Sequence, residues 1–183
     1  MNTMNLVISR LREGENLFSF NSLTDGRLKT MLSQLGTKGF LVRDNIEVSI
    51  NLTNLEPNYY LQGSMSFTVD QSCARCAEVF PLPIQHNFQL ALAHVQYGEG
   101  EKVSQSPEGE ELDINYFDGN VIDLAPLIEE QFVLSIPYRA LCTPQCKGIC
   151  QKCGINLNRA SCECAEDVSL KPFSQLKNFN IRK

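Results

Sequence analysis

Six of the eight cysteines fall within the string LCTPQCKGICQKCGINLNRASCEC, and the other two form a Cys73-Ala-Arg-Cys76 pair far upstream. Clustered thiolates are soft ligands that hold an ion by four-point coordination, so metal binding is the chemistry this distribution points to. Cys150-Gln-Lys-Cys153-Gly154 has the form of a zinc knuckle. Two intervening residues let both sulfurs reach one ion, and a glycine after the second cysteine accepts the positive φ of such a turn. Gly148, two residues before Cys150, permits a second tight reversal.

Two partitions of the ligands are open. Cys162-Glu-Cys164 lies close enough to Cys153 to complete one four-cysteine site with Cys150 and Cys153, leaving Cys73 and Cys76 to meet Cys142 and Cys146. Alternatively, Cys73 and Cys76 join Cys150 and Cys153. Spacing does not separate these arrangements. Either way the eight ligands divide into two closed sites, and closed four-ligand sites are structural, whereas catalytic zinc keeps an open position. The chain has neither an HExxH helix nor an HxE…PCxxC arrangement to supply an open metal and a base.

Other thiol chemistries fit less well. Cys146-x3-Cys150-x2-Cys153 matches the triplet of radical S-adenosylmethionine enzymes, but those place a large α/β barrel after it and only 30 residues follow here. An iron–sulfur cluster held by four cysteines ranks below zinc. A thioredoxin-like role for Cys73 and Cys76 requires a helix N-terminus to stabilise the thiolate, and the surrounding pattern is strand. The opening MNTMNLVISRLREG lacks the apolar core of a secretory signal, so the expected compartment is the reducing cytoplasm, where cysteines serve as ligands rather than disulfides. No apolar stretch reaches the roughly 18 residues of a membrane span.

The elements that must position these thiols are read from periodicity. Ile46, Val48, Ile50 and Leu52 alternate with polar residues, as do Leu61, Met65, Phe67 and Val69, and then Phe80, Leu82, Ile84, Phe88, Leu90 and Leu92. Period two with one apolar face and short connections predicts an antiparallel meander. It places Cys73 and Cys76 in the turn between its second and third strands. Leu6–Phe20 suits strands around a Gly14 turn. Ser22–Gly36, with Leu28, Met31, Leu32 and Leu35 on one face, suits a helix closed by Gly36. Residues 98–111 form an acidic loop, and a short strand, Leu112–Tyr116, leads to an Asp118-Gly119 turn. Asp123 then caps a helix running to about Ser135, ended by Pro137, with Leu124, Leu127, Ile128 and Phe132 inward and Glu129 and Glu130 outward. From Arg139 to Cys164 the pattern is loop built around cysteines, and Phe173, Leu176 and Phe179 suit a last short helix. His86 and His94 share the apolar face of the third strand and read as satisfied sheet residues. One of Tyr59 and Tyr60 must face the core.

The predicted fold class is therefore α+β: an antiparallel sheet body with a few packed helices and a cysteine-rich, zinc-knuckled C-terminal lobe. The expected organisation is a body over 1–138 and a metal-binding lobe over 139–183 packed on it as one unit.

Charge divides along the same boundary. Residues 1–138 hold 8 Lys/Arg against 18 Asp/Glu, a balance of −10, and residues 139–183 hold 8 against 3, a balance of +5. A zinc ion with four thiolates carries −2, so one site within the tail and half of another remove about three of those positive charges. Lys147, Lys152 and Arg159 then serve chiefly to offset the metal centres.

The order of features, Cys73-Ala-Arg-Cys76, then Ile122-Asp-Leu through Pro137, then Cys142 through Asn158 and Cys162-Glu-Cys164, resembles the YceD family, the large ribosomal RNA subunit accumulation proteins of bacteria and plastids. Pro172-Phe-Ser-Gln-Leu-Lys also resembles the family's usual end. The resemblance covers roughly residues 60–180 and implies a role in accumulation or processing of large-subunit ribosomal RNA, with no assigned catalytic residues. The expectation is a non-enzymatic ribosome biogenesis factor that binds precursor RNA or a large-subunit ribosomal protein, without a membrane or small-molecule substrate. Lys147, Lys152, Arg159, Lys171 and Lys177 are the candidate RNA contacts. The alternatives are an acidic adaptor docking a basic ribosomal protein, through Glu108, Glu110 and Glu111 among others, and a metal- or redox-responsive regulator.

Overall fold

The computed structural model describes residues 4–56, 58–95 and 114–164. In chain order these form β1 (Asn5–Val7), β2 (Gly14–Asn21), α1 (Gly26–Thr37), β3 (Leu41–Val42), β4 (Glu47–Leu55), β5 (Asn58–Ser72), β6 (Val79–His94), β7 (Ile114–Phe117), β8 (Val121–Asp123) and α2 (Leu124–Ser135). The main sheet runs β2-β4-β5-β6-β7, and β3 pairs with β5 beyond the end of β4. The three strands of strict period two are the antiparallel meander β4-β5-β6, with Ile50 opposite Gly63 and Gly63 opposite Phe88.

Alternation sorts the faces. Val48, Ile50, Leu52, Leu61, Met65, Phe67, Val69, Ile84, Phe88, Leu90 and Leu92 are all buried. Both helices cover this face. Leu28, Met31 and Leu35 of α1 and Leu124, Ile128 and Phe132 of α2 enter one core with it. Phe132 stacks on Phe67 with centroids 4.5 Å apart, and Phe40 meets Phe132 edge-on at 6.0 Å. Tyr59 points into the core while Tyr60 packs on the opposite face with Ala91, Ala93 and Ile114. His86 donates from Nε2 to the Gln131 side-chain oxygen of α2 at 3.0 Å, and His94 donates to the Gly119 carbonyl at 2.9 Å. Both histidines are thus satisfied by the fold.

The strands expected on either side of Gly14 are present, and they take different partners: β1 pairs with β8 and β2 with β4. Two local expectations are corrected. Gly36 does not close α1. The helix runs through it to Thr37, capped at Lys38, and Gly39 takes the left-handed conformation at φ 95°. Two glycines stood near the end, and the one past the last helical residue performs the reversal. The short strand before the Asp118-Gly119 turn joins β6 in parallel, so the sheet is mixed at this edge. The N-terminus of α2 is as expected, with the Asp123 side chain accepting from the Ala125 amide. The acidic loop 98–111 and the helix around Phe173, Leu176 and Phe179 lie outside the described residues. Among the described residues no helix is long and apolar enough to cross a membrane.

Candidate metal centre

The long β5–β6 hairpin carries its tip, residues 73–78, away from the helix-covered core. The tip folds as a knuckle: the Cys73 carbonyl accepts from the Ala77 amide at 2.9 Å, and the Cys73 amide donates to the Glu78 carbonyl at 2.9 Å. Residues 150–155 repeat this backbone. The Cys150 carbonyl accepts from the Gly154 amide at 2.9 Å, and the Cys150 amide donates to the Ile155 carbonyl at 2.8 Å. The residue after each second cysteine is left-handed, Gly154 at φ 73° and Ala77 at φ 60°.

The segment after α2 wraps this hairpin tip. Ala74 donates to the Ala140 carbonyl at 2.8 Å, Ile149 donates to the Arg75 carbonyl at 3.2 Å, and Arg75 Nη1 donates to the Cys146 carbonyl at 2.8 Å. Gly148 is required at this crossing. Its φ is 77°, and a Cβ there would stand 3.1 Å from the Arg75 carbonyl oxygen.

The wrap selects one partition of the ligands. Cys73, Cys76, Cys142 and Cys146 form one group and Cys150, Cys153, Cys162 and Cys164 the other, with the sulfurs of each group all within 4.8 Å of one another. Cys73 Sγ lies 3.7 Å from Cys146 Sγ, and Cys76 Sγ 3.7 Å from Cys142 Sγ. Four sulfurs bonded at ~2.3 Å to one tetrahedral ion stand about 3.8 Å apart. A disulfide would need roughly 2.05 Å, and all eight cysteines are free thiols. An iron–sulfur cluster hands its cysteines to different irons and so spreads them further than one shared ion does. The donors therefore fit a single thiophilic ion in each group. The radical-enzyme triplet is split, with Cys146 in the first group and Cys150 and Cys153 in the second.

Electrostatics favour a cation in both places. The Cys142 backbone amide, aided by those of Cys76 and Arg75, outweighs burial and brings the Cys73 thiol down to about 6. The amides of Cys153 and Lys152 bring Cys150 down to about 6. Amide donors stabilise thiolate, the form that binds metal. Conversely, burial and the neighbouring sulfurs push Cys142 up to about 12, and the Cys153 sulfur followed by burial pushes Cys164 up to about 12. Without an ion, each group cannot carry all its negative charge.

The groups differ in their cover. Cys73, Cys76 and Cys146 are 3%, 5% and 2% exposed, with Phe80 and Leu141 packed against them. In the second group Cys150 and Cys162 are half-buried and Cys153 and Cys164 exposed. Asn158 links the two: its Nδ2 donates to Cys146 Sγ at 3.3 Å, and its Oδ1 accepts from the Lys147 amide at 2.7 Å. Asn156 orients it by accepting from the same Nδ2 at 2.8 Å. Sequence reading passed over Asn156, Asn158 and Ala77. The asparagines of INLN had a signal, being turn formers inside a ligand loop, whereas nothing local marks an alanine as left-handed.

Of the candidate RNA contacts, Lys147, Lys152 and Arg159 lie exposed on this lobe, and Lys171 and Lys177 lie outside the described residues. Lys147 and Arg159 line one shallow concavity of about 420 Å³ with Asn158 and Cys162. Arg159 also pairs with Glu78 at 2.8 Å, tying the loop to the hairpin tip.

A family model described as Large ribosomal RNA subunit accumulation protein YceD matches residues 61–180, a span that takes in every cysteine. The chain belongs to the YceD family. Among curated YceD relatives, the large ribosomal RNA subunit accumulation protein YCED homolog 1, chloroplastic, of Arabidopsis thaliana is 28% identical over 154 residues, covering 73% of this chain and 48% of the relative. Its counterpart in Zea mays is 29% identical over 153 residues, covering 71% of this chain and 52% of the relative. An uncharacterized protein of Mycobacterium bovis is 22% identical over 116 residues, 61% of this chain and 51% of the relative. The chain thus spans about half the length of the curated relatives it matches. No solved structure matches it. The YceD match leaves out α1 and β4 and begins inside β5, so it includes the hairpin tip, α2 and the cysteine lobe.

Proposed function

We propose that this YceD protein is a zinc-stabilised binding factor that supports accumulation of large-subunit ribosomal RNA and is not an enzyme. Family membership supports the ribosomal role. The observation that carries the zinc reading is the pair of 3.7 Å sulfur–sulfur separations in a group of four thiols. All four positions around each ion are then filled by protein, which leaves no open position for substrate and favours scaffolding over catalysis. Because Cys73 and Cys76 belong to the body and Cys142 and Cys146 to the lobe, the first ion makes a body over 1–138 and a lobe over 139–183 one unit. Zinc in thiolate sites and a ribosomal role both suit the cytoplasm.

The RNA-facing surface in this reading is the cysteine lobe, with Lys147, Lys152 and Arg159 contacting phosphate; Lys171 and Lys177, outside the described residues, are further candidate contacts by sequence. Elemental analysis of the purified full chain tests the first half, with two zinc ions per chain expected and iron overturning it. Binding to large-subunit RNA across a salt series tests the second. The logarithm of the affinity should fall linearly with the logarithm of salt concentration, and absence of binding at low salt overturns direct backbone contact.

A second reading is favoured by the balance of −10 over residues 1–138: an acidic adaptor for a basic ribosomal protein. It expects co-purification with such a protein after nuclease treatment, weakened by substitutions at Glu108, Glu110 and Glu111.

A further inference from the structure

The two four-cysteine groups share ligand chemistry and knuckle geometry but not accessibility, and this difference has chemical consequences. Thiolate oxidation requires an oxidant to reach sulfur. Three of four sulfur-bearing residues in the first group are 5% exposed or less, beneath Phe80 and Leu141. In the second, Cys153 and Cys164 are both exposed, and all four sulfurs lie within 4.8 Å of one another. A sulfur oxidised there has a resolving thiol beside it.

We infer that the second group, Cys150, Cys153, Cys162 and Cys164, is a site of reversible oxidation by hydroperoxides that surrenders its metal while the first group keeps its own. The inference rests on the two-ion reading above. A thiolate at Cys153 or Cys164 attacks the peroxide O–O bond, becoming a sulfenic acid and expelling the other oxygen as alkoxide or hydroxide. A second thiolate of the group displaces hydroxide from that sulfur and forms the disulfide. Two electrons pass from two sulfurs to the peroxide, two protons from solvent complete an alcohol or water and a second water, and the divalent ion departs with two of its ligands gone.

The consequence lies in what the loop carries. Residues 150–164 hold Asn158 against Cys146 and Arg159 against Glu78, and Cys162 lines the same concavity as Lys147 and Arg159. Loss of the second ion frees this loop and disperses the basic concavity, while the buried first group keeps the segment around Cys142 and Cys146 on the hairpin tip.

The experiment uses the full chain, with its metal content measured first, exposed to increasing hydrogen peroxide. Released zinc is read with a chromogenic chelator and cysteine oxidation by peptide mapping. One equivalent should leave at least about tenfold faster than the other, with a disulfide confined to residues 150–164 and Cys73, Cys76, Cys142 and Cys146 still reduced. Thiol reductant with added zinc should restore the starting stoichiometry. Two equivalents leaving together, or oxidation appearing first among Cys73, Cys76, Cys142 and Cys146, overturns the inference and leaves the two-ion reading standing. A chain that carries no metal before peroxide is added overturns both.

Discussion

The side-chain amide of Asn158 donates to the sulfur of Cys146 at 3.3 Å, although the two residues belong to different cysteine loops. Asn158 sits between Cys153 and Cys162 of the second group, and Cys146 is a buried member of the first. One short polar side chain thus joins the two groups, donating to a sulfur of one while closing the loop of the other.

Replacing this donor should weaken the first centre. Partners that orient or hydrogen-bond a ligand typically contribute 10–100-fold to metal affinity. Asn158→Ala should lower zinc affinity of the first group by about 10-fold, and Asn158→Asp by more, since its carboxylate repels the Cys146 thiolate. Chelator competition on the folded protein measures both.

The two knuckles differ in the residue that takes positive φ, and stability should follow. A left-handed non-glycine residue costs about 1–2 kcal/mol, partly offset by the extra freedom of glycine in the unfolded chain. Ala77→Gly should therefore stabilise by about 0.5–1 kcal/mol, and Gly154→Ala should destabilise by a similar amount. Gly148→Ala should cost more than Gly154→Ala, because it adds contact with the Arg75 carbonyl to the same backbone strain. Chemical denaturation of the zinc-loaded chain compares all three.

Within the body, Gly63 lies under Phe88. A Cβ at position 63 would stand 2.2 Å from the ring's Cζ, so Gly63→Ala must displace a buried ring. Overpacking of this kind costs about 1–3 kcal/mol. The variant should melt earlier yet retain two zinc ions per folded chain, since Phe88 is remote from the hairpin tip along β6.

Acid should release metal. Cys73 and Cys150, held down to about 6, contribute stability that is present above the ordinary thiol value and lost as pH falls through about 6. Cys142 and Cys164, pushed up to about 12, act in the opposite sense without metal and give up their protons only when an ion enters. Uptake of zinc near neutral pH should therefore release protons, chiefly from Cys142 and Cys164, and the zinc-to-protein ratio should drop as pH falls. Dialysis against buffers of decreasing pH, followed by elemental analysis, gives the profile.

Patterns carried by neighbouring residues were readable without a structure. Strand alternation in β4, β5 and β6 depends only on which side chains can share a face, and the cap at Asp123 on a side chain reaching an amide two residues away. The Cys150–Gly154 knuckle is equally local. Its twin at Cys73–Ala77 was half visible: the paired cysteines showed, but the left-handed alanine did not, because the hydrogen bonds between Cys73 and Ala77 and between Cys73 and Glu78 impose that conformation against the residue's own preference. Gly36 and Gly39 could each have ended α1, and only the completed helix shows which does.

Cysteine number, type and spacing by themselves determined that this chain presents eight thiols for two four-ligand sites. Which thiols meet was decided by tertiary structure. Sulfurs separated by 66 and 73 positions approach to 3.7 Å because the β5–β6 hairpin projects its tip beyond the core, and because Gly148 lets the segment after α2 cross against Arg75. Loop spacing limits which pairs can reach one ion, but the choice among reachable pairs follows from where the sheet and α2 end in space. The same packing buried one group and left the other exposed, a difference that no spacing of cysteines encodes.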